Sequence, residues 1–125
     1  MHPKSPKWLD DMGDACAFVL EITANITVAD YASDRRLRQS VERNFQIIGE
    51  ALRRLERTDP ATAARISEYR SVIGLRNRLV HNYDDIDNEE VWEIIQHFLP
   101  VLRRETELLV QEAEDDWSVS ESATE

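Results

Sequence analysis

The sequence predicts an all-α protein, an antiparallel bundle of about four main helices with short helices between them. Turn-forming residues are scarce, since the 125 residues include only three glycines and four prolines. No stretch alternates apolar and polar residues in the way of a half-buried β-strand. Apolar residues instead recur three and four positions apart over long stretches, which is typical of amphipathic helices.

The length and composition indicate one folded domain in a reducing compartment. At 125 residues the chain can form a single hydrophobic core. The lone Cys16 excludes an internal disulfide and is expected to be a buried small apolar residue rather than a nucleophile. The longest apolar run, residues 15–20, is too short to span a bilayer. Because the N-terminus has no secretory apolar region, we expect a cytoplasmic protein with no membrane contact.

The net charge of −10 hides a basic segment and an acidic tail. Residues 112–125 hold six acidic side chains and no basic one, so the rest of the chain carries −4. Residues 35–78 hold eleven arginines and five acidic residues, a local balance of +6. We expect a bundle over residues 5–113 and an acidic, disordered tail over residues 114–125. Five of the arginines are expected to be solvated helix surface, although a polyanionic partner would need only some of them: Arg35, Arg36, Arg53, Arg54 and Arg57.

Local signals place the starts of the first helices. Ser5 is expected to cap the first helix, with Pro6 at its first helical position. Thr27 and Asp30 are spaced as a capping box, and Asp34 is placed to cap a long helix. Along that long helix the apolar residues step by three and four positions: Leu37, Val41, Phe45, Ile48, Leu52 and Leu55.

Two further residues of the long helix stand out. Gly49 lies beside the apolar stripe, where the absence of a side chain would permit close contact with another helix. Asn44 lies at the edge of the stripe and needs a hydrogen-bond partner if it is buried, so a place near Arg76 is one candidate role. Pro60 is expected in the first turn of the following short helix.

The C-terminal part predicts two more helices, over residues 67–80 and from about residue 88 to Ala113. Asp87 and Glu90 are spaced as a capping box for the second of these, and Pro100 should kink it. Its wide apolar arc indicates burial on more than one side, against the bundle and against another subunit. His97 lies on its polar edge and is expected at the surface.

The most informative stretch is residues 75–83. On a helical wheel at about 100° per residue, Arg76 falls in the middle of an apolar face with Val72, Leu79 and Tyr83. A guanidinium in that position is costly unless it has a partner, and Tyr83 is its best-aligned neighbour. On periodicity alone, Tyr83 is a core aromatic residue.

Asn77 and His81 share another side of the same helix. His81 lies about 140° around the helix from Arg76. The two could meet within one chain only if the helix ended or was distorted near Val80. Otherwise the site would be composite and assembled with another subunit. By itself, His81 could also be a helix-terminal histidine that interacts with the helix dipole.

Arg76 and His81 together are sufficient, in outline, for cleavage of RNA. RNA carries its own nucleophile, the 2′-hydroxyl beside the phosphodiester, and needs proton transfers and stabilisation of charge on the phosphoryl oxygens. A histidine that titrates near neutrality suits the proton transfers, and a fixed guanidinium suits the phosphoryl group. No metal or cofactor is required, and no metal-ligand cluster is present in the sequence. DNA would not be cleaved in this way, because it lacks the 2′-hydroxyl.

The spacing of these residues resembles the motif of HEPN ribonucleases, and with Tyr83 it resembles the form found in HepT-like toxins. The matching residues are RNRLVHNY at 76–83. The segment RNFQIIGEA at 43–51 and the residues DRR at 34–36 are also similar to that group. The resemblance covers roughly residues 8–109.

The resemblance implies an endoribonuclease toxin of a type VII-like HEPN/MNT toxin–antitoxin system, with Arg76, Asn77 and His81 as catalytic residues. It implies a HEPN-type bundle that forms a homodimer with the cleft at its interface. It also implies that an MNT-type nucleotidyltransferase antitoxin silences the toxin by AMPylation of Tyr83. Adding a negatively charged nucleotide beside Arg76 would block a phosphate site.

A second class of function stays open on the sequence alone. The chain could be a non-catalytic helical module that dimerises and binds a nucleotidyltransferase, and the net charge of −10 favours this slightly because RNA is a polyanion. A histidine phosphotransfer bundle is a weaker alternative, because no Lys-Gly pair follows His81 or His97 at the usual distance.

Overall fold

The structure, a computed structural model, describes residues 1–81, 84 and 86–124, with side chains described as far as Trp117. All long elements in these ranges are helical, which confirms the predicted all-α bundle of HEPN type. The elements are α1 (Ser5–Ile22), α2 (Val28–Ser33), α3 (Arg35–Thr58), α4 (Pro60–Ala63), α5 (Tyr69–His81), α6 (Asn88–Glu93), a π-helical turn (Ile94–Phe98) and α7 (Leu99–Thr124).

The helix α3 connects the two halves of the bundle. It packs against α1 on one side and against α5 on the other, and α1 packs in turn against α7. The predicted apolar stripe of α3 faces this core, with Leu37 half-buried at its start. The remaining members of the stripe are buried: Val41, Phe45, Ile48, Leu52 and Leu55. Each such side chain contributes about 1.5–3 kcal/mol by leaving water, so this stripe fixes which faces of α1 and α5 meet α3.

Ser5 does not cap α1, which corrects the prediction. Ser5 is the first residue of the helix, Lys4 occupies the N-cap position, and no side chain caps it. The Ser5 hydroxyl instead donates a hydrogen bond of 2.8 Å to the Asp59 carboxylate. Burial of Asp59 opposes its charge, but hydrogen bonds from Thr62, His2 and Ser5 outweigh burial and hold the pKa of Asp59 below its usual range. The Ser5 hydroxyl therefore binds a carboxylate that is distant in sequence and does not cap its own helix.

The predicted starts of the next helices are confirmed. Thr27 and Asp30 form a reciprocal capping box at α2, and the Asp34 carboxylate accepts a hydrogen bond of 3.1 Å from the Leu37 backbone at α3. Pro60 lies in the first turn of α4. These signals are local in sequence, so the sequence alone was enough to place them.

The capping box expected at Asp87 and Glu90 is only half formed. The Asp87 carboxylate caps α6 by accepting a hydrogen bond of 2.9 Å from the Glu89 backbone. Glu90 does not reach back to Asp87, because its carboxylate accepts two hydrogen bonds from Arg78, of 2.6 and 2.8 Å. These bonds lower the pKa of Glu90 and tie α5 to α6.

The last long helix is irregular just before Pro100. Residues 94–98 form a π-helical turn between α6 and α7, a local distortion in the place where a kink was expected. His97 in this turn is exposed, as predicted, and lies 3.2 Å from Glu93.

The helix α7 runs to Thr124, beyond the expected end near Ala113. No glycine or proline follows Pro100 that would stop it. The division into a bundle and an acidic tail over residues 114–125 stays a prediction. Part of the wide apolar arc remains uncovered, since its member Leu108 is 59% exposed. Val101, two turns earlier on the same helix, is 44% exposed. A second subunit at this face also stays a prediction.

The single cysteine lies in the hydrophobic core, as expected. Cys16 is buried, and this burial raises the pKa of its thiol to about 12. The thiolate is therefore strongly disfavoured, which agrees with a packing role.

None of the described helices is long and apolar enough to cross a bilayer.

Candidate active site

Arg76 sits where α5 crosses α3 at very close range. A Cβ atom at Gly49 would lie 2.2 Å from the Cβ and 2.7 Å from the Cγ of Arg76. Such distances do not occur between non-bonded carbon atoms, so only glycine fits at this position. This confirms that Gly49 permits close helix contact, and it shows that the residue in contact is Arg76.

We expect Gly49→Ala to destabilise the protein by about 1–3 kcal/mol, because the new methyl group would push α5 away from α3. Gly74→Ala is the matched control, since a Cβ there meets nothing within 4 Å. That control should be stabilising by up to about 1 kcal/mol, as alanine is the better helix former. Urea unfolding of both variants checks this. Equal stability of the two would contradict the close contact.

The guanidinium of Arg76 has an ionic partner on α3. Its Nη2 atom lies 3.2 Å from Oε2 of Glu50, and the Arg76 side chain is 18% exposed. Its Nη1 atom donates a hydrogen bond of 3.2 Å to Oδ1 of the neighbouring Asn77. The contact with Glu50 is an ion pair without hydrogen-bond alignment, and the buried Nε of Arg76 has no hydrogen-bond partner in the described structure.

Glu50 is the site residue that sequence reasoning missed. Tyr83 was the expected neighbour of Arg76, but Tyr83 lies outside the described residues. Glu50 directly follows Gly49, the residue that brings α5 close, so a signal was present in the sequence. It could be interpreted only once the register of α3 against α5 was known.

Glu50 also holds a second guanidinium. Nε of Arg54, one helical turn further along α3, lies 3.2 Å from Oε1 of Glu50. One carboxylate therefore contacts two guanidinium groups, and the net charge of these three side chains is +1. An anion approaching this cluster would meet guanidinium groups held in place by Glu50.

His81 is the last residue of α5 and is exposed. The helix continues through Val80, so it neither ends before His81 nor leaves the α-helical form there. Arg76 faces α3, whereas His81 faces solvent. The structure thus brings Arg76 and Asn77 together and does not bring His81 to them within one chain.

The remaining candidates are placed as follows. Asn82 and Tyr83 lie outside the described residues, so the role of Tyr83 stays a prediction. The Asn44 amide donates a hydrogen bond of 2.8 Å to the Ser40 carbonyl within its own helix, which explains how this half-buried group is satisfied. No described contact joins Asn44 to Arg76. Of the five arginines expected at the surface, four are exposed: Arg35, Arg36, Arg54 and Arg57. The fifth, Arg53, is half-buried.

A pocket of about 260 Å³ opens beside Arg76, between α1, α3 and α5. Its lining mixes charged, polar and apolar side chains: Trp8, Asp11, Arg43, Gln46, Ile47, Glu50, Ala51, Arg54, Arg76 and Val80. The pocket therefore contains the Arg76–Glu50 pair and leaves out His81. Its mixed lining can contact charged, polar and apolar groups of a ligand.

Comparison with known proteins identifies related sequences. A family model described as "Ribonuclease HepT-like" matches residues 12–109. A protein named "Putative RNase" from Caldanaerobacter subterraneus subsp. tengcongensis is 26% identical over 109 residues, which are 86% of this chain and 96% of the relative. A protein named "Probable ribonuclease HepT" from Thermococcus cleftensis is 26% identical over 102 residues, 82% of this chain and 92% of the relative.

The family match runs from within α1 into α7 and includes Gly49, Glu50, Arg76 and His81. It therefore covers the close contact of α3 with α5, whereas Trp8 and Asp11 of the pocket lining precede the matched residues. The chain belongs to the HepT-like ribonuclease family.

Proposed function

We propose that the protein is a metal-independent endoribonuclease, the toxin of a type VII-like HEPN/MNT toxin–antitoxin system. The observation that carries this proposal is the placement of Arg76. Its guanidinium is fixed by Glu50 and Asn77, beside an open pocket and five positions before an exposed histidine on the same helix. Membership of a ribonuclease family supports RNA as the substrate.

In the proposed reaction the 2′-oxygen of RNA attacks the adjacent phosphorus atom. The 2′-hydroxyl proton passes to a histidine that acts as base, and the bond from phosphorus to the 5′-oxygen breaks. The leaving 5′-oxygen takes a proton from an acid, so the products are a 2′,3′-cyclic phosphate and a 5′-hydroxyl. Arg76 stabilises the charge on the phosphoryl oxygens, and Asn77 orients its guanidinium.

A second subunit would complete this site. Arg76 and His81 face different ways on a regular helix, and one histidine cannot easily act as both base and acid. In a homodimer, His81 from one protomer could approach Arg76 of its partner, and two histidines could share the proton transfers. The regular α-helical path of α5 through Val80 supports this composite arrangement.

The ends of the products test the chemistry. RNA fragments should carry 2′,3′-cyclic phosphate and 5′-hydroxyl ends, identifiable by mass spectrometry before and after mild acid treatment. Fragments with 5′-phosphate and 3′-hydroxyl ends would contradict the proposal, because they require water as the nucleophile.

We propose further that an MNT-type nucleotidyltransferase silences the toxin by attaching AMP to Tyr83. Tyr83→Phe should retain most of the ribonuclease activity and escape silencing, because it lacks only the hydroxyl that receives AMP. Co-expression with the partner, followed by intact mass and RNA cleavage, checks this. Tyr69→Phe, at the first residue of α5, is the control tyrosine and should still be silenced. If Tyr83→Phe is silenced as well, inhibition does not run through that hydroxyl.

The second candidate function is a non-catalytic module that binds the nucleotidyltransferase. The net charge of −10 favours it, since RNA would approach against the overall field. The exposed Val101 and Leu108 on α7 also offer a surface for a protein partner. Absence of RNA cleavage by unmodified protein would favour this candidate.

A further inference from the structure

The pocket beside Arg76 is lined by both charged and aromatic side chains. Arg76 and Arg54 each lie 3.2 Å from a carboxylate oxygen of Glu50. Trp8, on α1, is half-buried and lines the pocket from another helix. Gln46, on α3, also lines the pocket.

We propose that this pocket binds one nucleotide of single-stranded RNA, with its phosphate on Arg76 and Arg54 and its base against the ring of Trp8. This deepens the proposed ribonuclease function and rests on it for the identity of the substrate. The pocket would hold the nucleotide next to the scissile phosphate, so Trp8 would be a substrate-binding residue outside the motif at residues 76–83.

Charge supports an anionic ligand in this pocket. The lining holds three arginines and two acidic residues, a balance of +1 in a protein whose net charge is −10. Phosphate groups are the usual partners of clustered guanidiniums. The remaining polar side chain, Gln46, can donate to and accept from the edge of a base.

The environment of Trp8 also supports a stacking role. Trp92, by comparison, is paired with Tyr31 at a ring-centroid distance of 5.8 Å. The ring contacts of the described residues do not include one to Trp8, which packs partly against the core and also lines the open pocket. Aromatic side chains beside a basic groove are the usual platform on which unpaired bases stack.

The amide of Gln46 is weakly engaged. Its Oε1 atom accepts a hydrogen bond from Arg43 at 3.5 Å, the outer limit for such a bond. A base edge could replace this contact at little cost. Gln46 is therefore placed to influence which base the pocket prefers, whereas Trp8 would stack on any base.

Steady-state cleavage of a short RNA by Trp8→Ala, Trp8→Phe and Trp117→Ala tests the proposal. Trp8→Ala should raise KM about 10-fold or more with a smaller change in kcat, and Trp8→Phe should restore most of the affinity. Trp117→Ala is the matched control, because Trp117 lies on α7 and is 72% exposed. An unchanged KM in Trp8→Ala would overturn the proposal.

Two further measurements cover other outcomes. If Trp8→Ala fails to fold, Gln46→Ala decides, and it should change the relative kcat/KM for homopolymers of different bases. Unchanged base preference would then overturn the proposal. If the wild-type protein cleaves no RNA, the ribonuclease function fails, and fluorescence polarisation of labelled single-stranded RNA still tests the pocket. Binding weakened by Trp8→Ala would support it, and equal binding would overturn it.

Discussion

Replacing His81 by alanine is expected to lower RNA cleavage by about 10²–10⁴-fold, because it removes the group proposed to transfer the proton. The fold should be unaffected, since His81 is exposed at the last position of α5. Cleavage rates and circular dichroism, measured on the same sample, check both parts.

His97→Ala is the matched control for His81→Ala. His97 is also exposed, and its Nε2 atom lies 3.2 Å from Oε2 of Glu93 one turn earlier, an arrangement typical of a helix surface. Cleavage by His97→Ala should equal that of the wild type. Loss of helical signal in His81→Ala would mean that His81 is structural, and full activity would exclude it from the reaction.

Arg76→Ala is expected to reduce cleavage by about 10²–10³-fold through loss of charge stabilisation on the phosphoryl group. It should also reduce stability by about 1–2 kcal/mol, because Arg76 packs on Gly49. The loss should not be larger, since Glu50 keeps Arg54 as a partner at 3.2 Å and is partly exposed.

Arg104→Ala, at an exposed position of α7, is the control for the charge removed by Arg76→Ala. It should keep both activity and stability. Unchanged cleavage by Arg76→Ala would exclude Arg76 from phosphate binding, whatever happened to stability.

Recovery of activity on mixing the two inactive variants would show that the site is composite. If Arg76 of one protomer works with the single His81 of its partner, a mixed dimer of Arg76→Ala and His81→Ala contains one such pair. After exchange of subunits, about a quarter of the wild-type sites would return, as expected for random pairing in a two-fold dimer. If the proton transfers need both histidines of the dimer, or if each chain forms its own site, the mixture stays inactive.

The sequence was sufficient for features that depend on local chemistry. The stripe on α3, the capping box of Thr27 and Asp30, and the cap at Asp34 all rest on residues a few positions apart, and the structure confirms them. Ser5 is the exception, because its hydroxyl bonds to Asp59 from another part of the chain.

The sequence was less informative about contacts between helices. Glu90 was expected to complete a local cap, but Arg78 of α5 takes its carboxylate, since a two-fold guanidinium–carboxylate contact is stronger than a single backbone bond. The ion pair of Arg76 with Glu50 was missed for the same reason. Hydrophobic periodicity showed that Arg76 needed a partner, but only the packing of α5 on α3 identified it.

The most direct test of the account is cleavage of a labelled RNA by purified protein in EDTA, beside His81→Ala and a DNA of the same sequence. Intact mass, recorded on the same sample, shows whether Tyr83 or another residue carries AMP. The account predicts that unmodified wild-type protein cleaves the RNA, spares the DNA and loses this activity in His81→Ala. Intact RNA at the unmodified mass, or equal cleavage by His81→Ala, would contradict it.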